Sequence, residues 1–242
     1  MRRSFWGLFG RSRHGAYEEE GAHNTKTRPA SETCRHHIHE VILKDVFHEC
    51  LGSSNAPEIA IFKRSKSQWQ FVDPSKKETV ESCDELIEFI ATNSTARQLK
   101  DDMLSFLKES LMSKSHPRED YEELLRLCYT FLGGEESKPL RRAGALHQAR
   151  WMAKALYCLK LQMLNSQLKL TAREAFGVRR MALFVSLVYV RQWHEAIVSV
   201  KAPLNDVRFL DILLTYPDSQ TAKDALRVHS DATCGISRKK TW

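Results

Sequence analysis

The chain has 242 residues, 42% of them apolar and 28% charged. That is enough apolar side chain for a core in one domain or two small ones, and it excludes a low-complexity or generally disordered polymer. The formal net charge of +7 permits contact with nucleic acid or an acidic surface without requiring either.

Residues 1–31 are basic, then acidic at Glu18–Glu20, then polar and patternless, and little fixed structure is expected there. Their apolar patch, Phe5 to Gly10, is short of the roughly 7–15 residues of a secretory h-region, so no leader is expected. From Ser31, Cys34, Ile38, Ile42, Val46 and Cys50 recur at steps of four, which predicts an amphipathic helix. Gly52 and the run to Pro57 end it, with Pro57 suited to a new first turn. Ile59, Phe62 and Trp69 predict a second helix, broken by Asp73-Pro74. A short acidic helix is expected over 82–93. Another is expected over 95–112, with Leu99, Met103, Phe106, Leu107 and Leu111 on one face.

His116-Pro117 interrupts the pattern. Glu119 to Leu132 predicts a further helix, acidic at its start as the helix dipole favours and closed by Gly133-Gly134. Residues 135–144 read as a polar loop. Ala145 to Leu170 is apolar nearly all round, the mark of a buried helix. Thr171 with Glu174 matches a capping box, and Met181 to Val190 is the most core-like run in the chain. At that length it cannot span a bilayer, which takes roughly 20 apolar residues. Pro203 separates it from a last amphipathic stretch, Val207 to Leu214, and beyond Pro217 the sequence turns polar and irregular. Only Gln68–Asp73 and Ile197–Val200 have strand character, and both are short. The expected fold is a mainly α multi-helical bundle over residues 32–217, between a disordered 1–31 and an irregular 218–242.

The 6 cysteines form no CxxC pair. Cys128 and Cys158 sit in apolar helical runs as small hydrophobes, and reduced thiols point to an intracellular setting, nucleus or cytoplasm. The densest metal-capable cluster is Cys34 to Glu40, with His48 and Cys50 downstream. Zinc needs about four converging ligands, and no second Cys/His pair follows at finger spacing. The favoured reading is a core Cys34 among surface or satisfied histidines, with no metal and no cofactor. A zinc-stabilised interaction module on Cys34, His37 and His48 is the alternative. Asp101-Asp102 diverge by about 100° on a helix and do not share one ion easily. No GxSxG, GxxxxGK[ST] or GxGxxG occurs. Lys138, Arg141, Arg142 and Arg150 form a basic segment suited to weak, non-specific phosphate contact, with smaller patches at Arg179-Arg180 and Arg238-Lys239-Lys240. Trp151 is expected to be a buried anchor.

Two pairs of stretches carry a resemblance. CRHHIHEVILKDVF (34–47) with APEIAIFKRSKSQW (56–69), and AGALHQARWMAKALYCLKL (143–161) with KLTAREAFGVRRMALFVSLVYVRQW (169–193), resemble the central region of transposon-derived invertebrate proteins distantly similar to hAT-type transposases. The resemblance covers roughly residues 32–215 and implies a remnant of an RNase H-like core with its helical insertion. Cys34 and His37 match the family's Cys-x-x-His, and Arg150 and Trp151 match its Arg-Trp. The family's two catalytic aspartates precede Cys-x-x-His, yet residues 1–31 contain no Asp. Its third acid, a glutamate, lies well beyond the insertion. Such chemistry needs carboxylates holding two metal ions roughly 3.5–4 Å apart. What the resemblance implies is therefore an inactive helical fragment that binds other protein chains, or weakly and non-specifically nucleic acid, without membrane or small-molecule substrate. The alternative is a nuclease or transposase subunit that draws its carboxylates from another chain.

Overall fold

The computed structural model describes residues 30–52, 59–113, 116–136, 138–142 and 150–233. Among them the regular structure is helical, with no strand, so the mainly α multi-helical bundle expected from the sequence is what forms. None of the described helices is long and apolar enough to cross a membrane.

Helix α1 (Ala30–Leu51) follows the expected four-residue rhythm and buries Ile42, Leu43, Val46 and Phe47. It stops at Gly52, whose φ of 87° suits glycine, with its N–H donated to the His48 carbonyl at 2.9 Å. Pro57 lies outside the described residues. Helix α2 (Ala60–Gln68) runs into a 3-10 turn at Trp69–Phe71, so the strand-like patch there is a helical turn. Helices α3 (Asp84–Thr92), α4 (Ser94–Met112) and α5 (Glu119–Phe131) fall where the pattern puts them. Helix α5 closes at Gly133, φ 102°.

Helix α6 (Arg150–Met163) ends earlier than the expected Leu170. The amide of Gln167 turns away to clamp the Asp73–Lys76 bend. It accepts the Asp73 N–H at 2.8 Å and donates to the carbonyls of Asp73 and Lys76. Free carbonyls at the helix end are then used across the fold, Met163 accepting from Glu78 N–H at 2.7 Å.

Helix α7 (Ala172–Phe184) carries the expected capping box, Thr171 and Glu174 each satisfying the other's backbone N–H. It continues through a π-helical turn at Val185–Tyr189 into α8 (Val190–Glu195). Every residue from Met181 to Val190 is buried. The buried hydroxyl of Ser186 donates to the Ala182 carbonyl at 2.8 Å, an extra donor where the ladder slips register. Around this axis pack α1, α4, α5 and α6.

Two expectations are corrected at the C-terminal end. Pro203 does not separate elements; it sits in the first turn of α9 (Ala202–Thr215), where its missing N–H is not needed. Residues 219–233, expected to be irregular, form α10 (Ser219–Thr233) and cover α1. Its buried residues are Thr221, Ala222, Ala225, Val228 and His229, so it lacks the large apolar residues on which the sequence reading relied. Asp218 starts it by accepting from the Thr221 N–H and hydroxyl. Residues 234–242 lie outside the described residues.

Candidate binding groove

The residues singled out from sequence do not converge on one site. Cys34 and Arg150 lie on α1 and α6, with side chains outside the described residues. His37 is exposed and His48 half-buried on the same unbroken helix. Eleven residues of α-helix separate them by about 16 Å along the axis. A zinc ion with ligands at about 2.0–2.3 Å cannot bridge that gap, so the zinc module on Cys34, His37 and His48 is corrected.

Trp151 meets α1 near its far end, against Phe47 and His48 with ring centroids 6.1 and 6.0 Å away. It is half-buried rather than enclosed, because it lies in the first turn of α6 at the edge of the bundle. The ammonium of Lys154 stands 3.8 Å from its ring centroid, a cation–π contact. The cost expected for truncating a fully buried tryptophan therefore does not apply here.

Lys138, Arg141 and Arg142 are exposed, as a phosphate-binding loop requires. The loop, however, lies against the acidic side of α5. Arg141 reaches Glu119 at 3.4 Å, and neighbouring Arg126 joins Glu122 and Glu136 at 2.6 and 2.7 Å. Arg179 pairs with Glu85, and Arg180 with Asp218 and Glu49. Much of the positive charge seen in the sequence is thus answered locally.

A wide concavity lies elsewhere. A groove of about 770 Å³ opens between α4 and α9, floored by the π-helical turn and α8. Phe106 of α4 stacks under the Arg191 guanidinium, 4.9 Å from the ring centroid, and Arg191 lies 3.6 Å from Glu195 one turn on. In the floor, Gln192 is only 3% exposed and its Oε1 has no hydrogen-bond partner among the described residues. A buried acceptor left unsatisfied costs about 1–3 kcal/mol. Beside the groove, α9 presents Leu204, Val207 and Leu214 to solvent, the last 73% exposed. The sequence reading missed this site. Its signal was available: apolar residues at 204, 207 and 214 repeat on a different side of α9 from the buried Phe209 and Leu213.

Behind α9 lies a buried histidine. His39 is 3% exposed, neither ring nitrogen has a hydrogen-bond partner among the described residues, and Arg35 is held close by its bidentate pair to Asp206. Burial first, then the charge of Arg35, pushes the His39 pKa down to about 3. His194, His229 and His48 are lowered for the same leading reason. These histidines therefore bind fewer protons in the folded chain than in the unfolded chain below pH 6.5. Their contribution to stability is full above that value and falls as pH drops, by up to about 1.4 kcal/mol per pH unit for the buried His39. The urea midpoint should fall from pH 7.5 to 5.5, and His39→Phe should flatten the dependence. An unchanged slope in that variant would remove His39 from the account.

The described thiols offer no activated nucleophile. Cys50 is pushed up to about 11 by burial, and Cys128 and Cys158 are raised by complete burial. No family model, curated protein or solved structure matches the chain.

Proposed function

We propose that the chain is a helical binding module without catalysis, descended from the helical part of a hAT-type transposase, and that it acts by contact with another protein. The observation that carries the reading is the open groove between α4 and α9, with an exposed apolar stripe on α9 beside it and an unsatisfied acceptor in its floor. Exposed apolar surface rimmed by polar residues marks interaction sites. The transposase origin is supported by the stretches 34–47 with 56–69 and 143–161 with 169–193.

Weak nucleic-acid contact is the second reading, favoured by the exposure of Lys138, Arg141 and Arg142. If these three engage phosphates, log K against log salt should have a slope of about 3 at most, at about 0.9 per contact. Arg141→Ala with Arg142→Ala should lower it by about two without altering sequence preference. Duplex binding by fluorescence anisotropy across a salt series measures both. Tight, salt-insensitive binding to a defined sequence would replace the protein reading with a nucleic-acid one. Cleavage of nicked or duplex DNA with Mg²⁺ or Mn²⁺, above a heat-killed control, would end the non-catalytic reading.

A further inference from the structure

The walls of the α4–α9 groove are charged in a way that selects an occupant. Asp102 and Glu109 on α4, Glu195 on α8 and Asp211 on α9 face only Arg191 and Arg208. Four carboxylates against two guanidinium groups make the groove acidic, in a chain whose net charge is +7. Arg191 is already engaged with Phe106 and Glu195, while Asp102, Glu109 and Asp211 are exposed. The floor adds an independent demand. The buried Gln192 Oε1 accepts from nothing among the described residues and can be satisfied only by a donor.

The rim is apolar. Leu204, Val207 and Leu214 lie at spacings of three and seven on one face of α9, and Val200, 91% exposed, extends the stripe toward the preceding turn. At 14 residues α9 is about 21 Å long, the length of a partner helix of about four turns.

We propose that this groove docks an amphipathic helix of a partner protein whose polar face is basic. Arginine or lysine side chains enter among Asp102, Glu109 and Asp211, and one donates to Gln192 Oε1. The apolar side chains of the partner cover Leu204, Val207 and Leu214. Guanidinium and ammonium groups carry donors and no acceptor, which is what carboxylates and an orphaned amide oxygen require. Helix-in-groove recognition supplies the geometry. The inference rests on the protein-binding reading above and names its partner class.

The test uses the full chain and two synthetic helical peptides of about 14 residues, matched to the length of α9. Both carry leucine on one face; the opposite face carries arginine in one and glutamate in the other. The overall positive charge of the chain would by itself favour the glutamate peptide. The groove is expected to reverse that, so that the arginine peptide binds at least about tenfold more tightly and weakens as salt is raised. The variant Asp102→Lys with Asp211→Lys, both exposed and confirmed folded by circular dichroism, should invert the preference. Val207→Ser with Leu214→Ser should weaken the arginine peptide with no change in thermal midpoint. Gln192→Met should weaken it while leaving the free protein as stable or more so, because an unsatisfied buried acceptor is removed.

Equal binding of the two peptides, tighter binding of the glutamate peptide, binding of neither, or an unchanged preference in the charge-reversed variant would each overturn the proposal. None of these outcomes alters the DNA assays, so the non-catalytic reading stands or falls separately.

Discussion

Lys160→Met is expected to cost about 3–5 kcal/mol of folding stability, the typical result of leaving one half of a buried ion pair. Lys160 on α6 and Glu123 on α5 lie 2.7 Å apart, Nζ to Oε1, with side chains 3% and 9% exposed. The contact is poorly aligned for a hydrogen bond at that oxygen, so the attraction is mainly between charges that have both left water. Removing the ammonium strands the carboxylate between two helices that form part of the core. The variant Lys160→Met with Glu123→Leu should recover most of the loss, because apolar groups of similar size satisfy the site without desolvated charge. Urea midpoints of the single and double variants separate the two effects. A loss below about 1 kcal/mol in Lys160→Met would show that water reaches the pair and that it behaves as a surface bridge.

Gly177→Ala should destabilise the chain by about 2 kcal/mol, although alanine is the better helix former. Gly177 lies within α7, where alanine would ordinarily gain about 1 kcal/mol. A Cβ there would fall on the Cys50 carbonyl oxygen of α1 and within 2.8 Å of Leu51 Cδ2. Main chain cannot rotate aside as a side chain can, so overpacking should reach about 3 kcal/mol, the upper end of its usual range. The net sign is set by packing. The same approach of α1 to α7 brings Arg180 to Glu49, while its stronger contact to Asp218 fixes the start of α10. A thermal midpoint equal to or above the parent's would mean that the two helices have room to spare.

What could be read from the sequence was what local chemistry decides. The apolar run Met181–Val190 is buried throughout, Thr171 and Glu174 form their box, and Gly52 and Gly133 end helices with positive φ. What could not be read depends on partners distant in sequence. α10 packs through Ala222 and Ala225, residues too small to announce a core face. α6 stops at Met163 while Gln167 bonds a bend more than ninety residues earlier. The ligand cluster imagined around Cys34 fails because α1 is one unbroken helix through His37 and His48. The basic loop counted in sequence lies beside carboxylates of α5. The groove itself depends on the two-faced character of α9, which a single amphipathic reading of Val207–Leu214 folds into one side.

The π-helical turn at Val185–Tyr189, closed by the Val190 N–H on the Val185 carbonyl, fixes the phase of everything after it. Such a turn is in effect one residue inserted into an α-helix. Closing this turn as regular α-helix with every residue kept would rotate α8 by about 100°. Arg191 and Gln192 would then leave the groove floor, and Trp193, now buried, would turn toward a new neighbour. The recognition surface is therefore a matter of reading frame within one helix. Substitutions that favour a regular i→i+4 ladder there would discard that surface at constant chain length, leaving the apolar composition of the segment almost untouched.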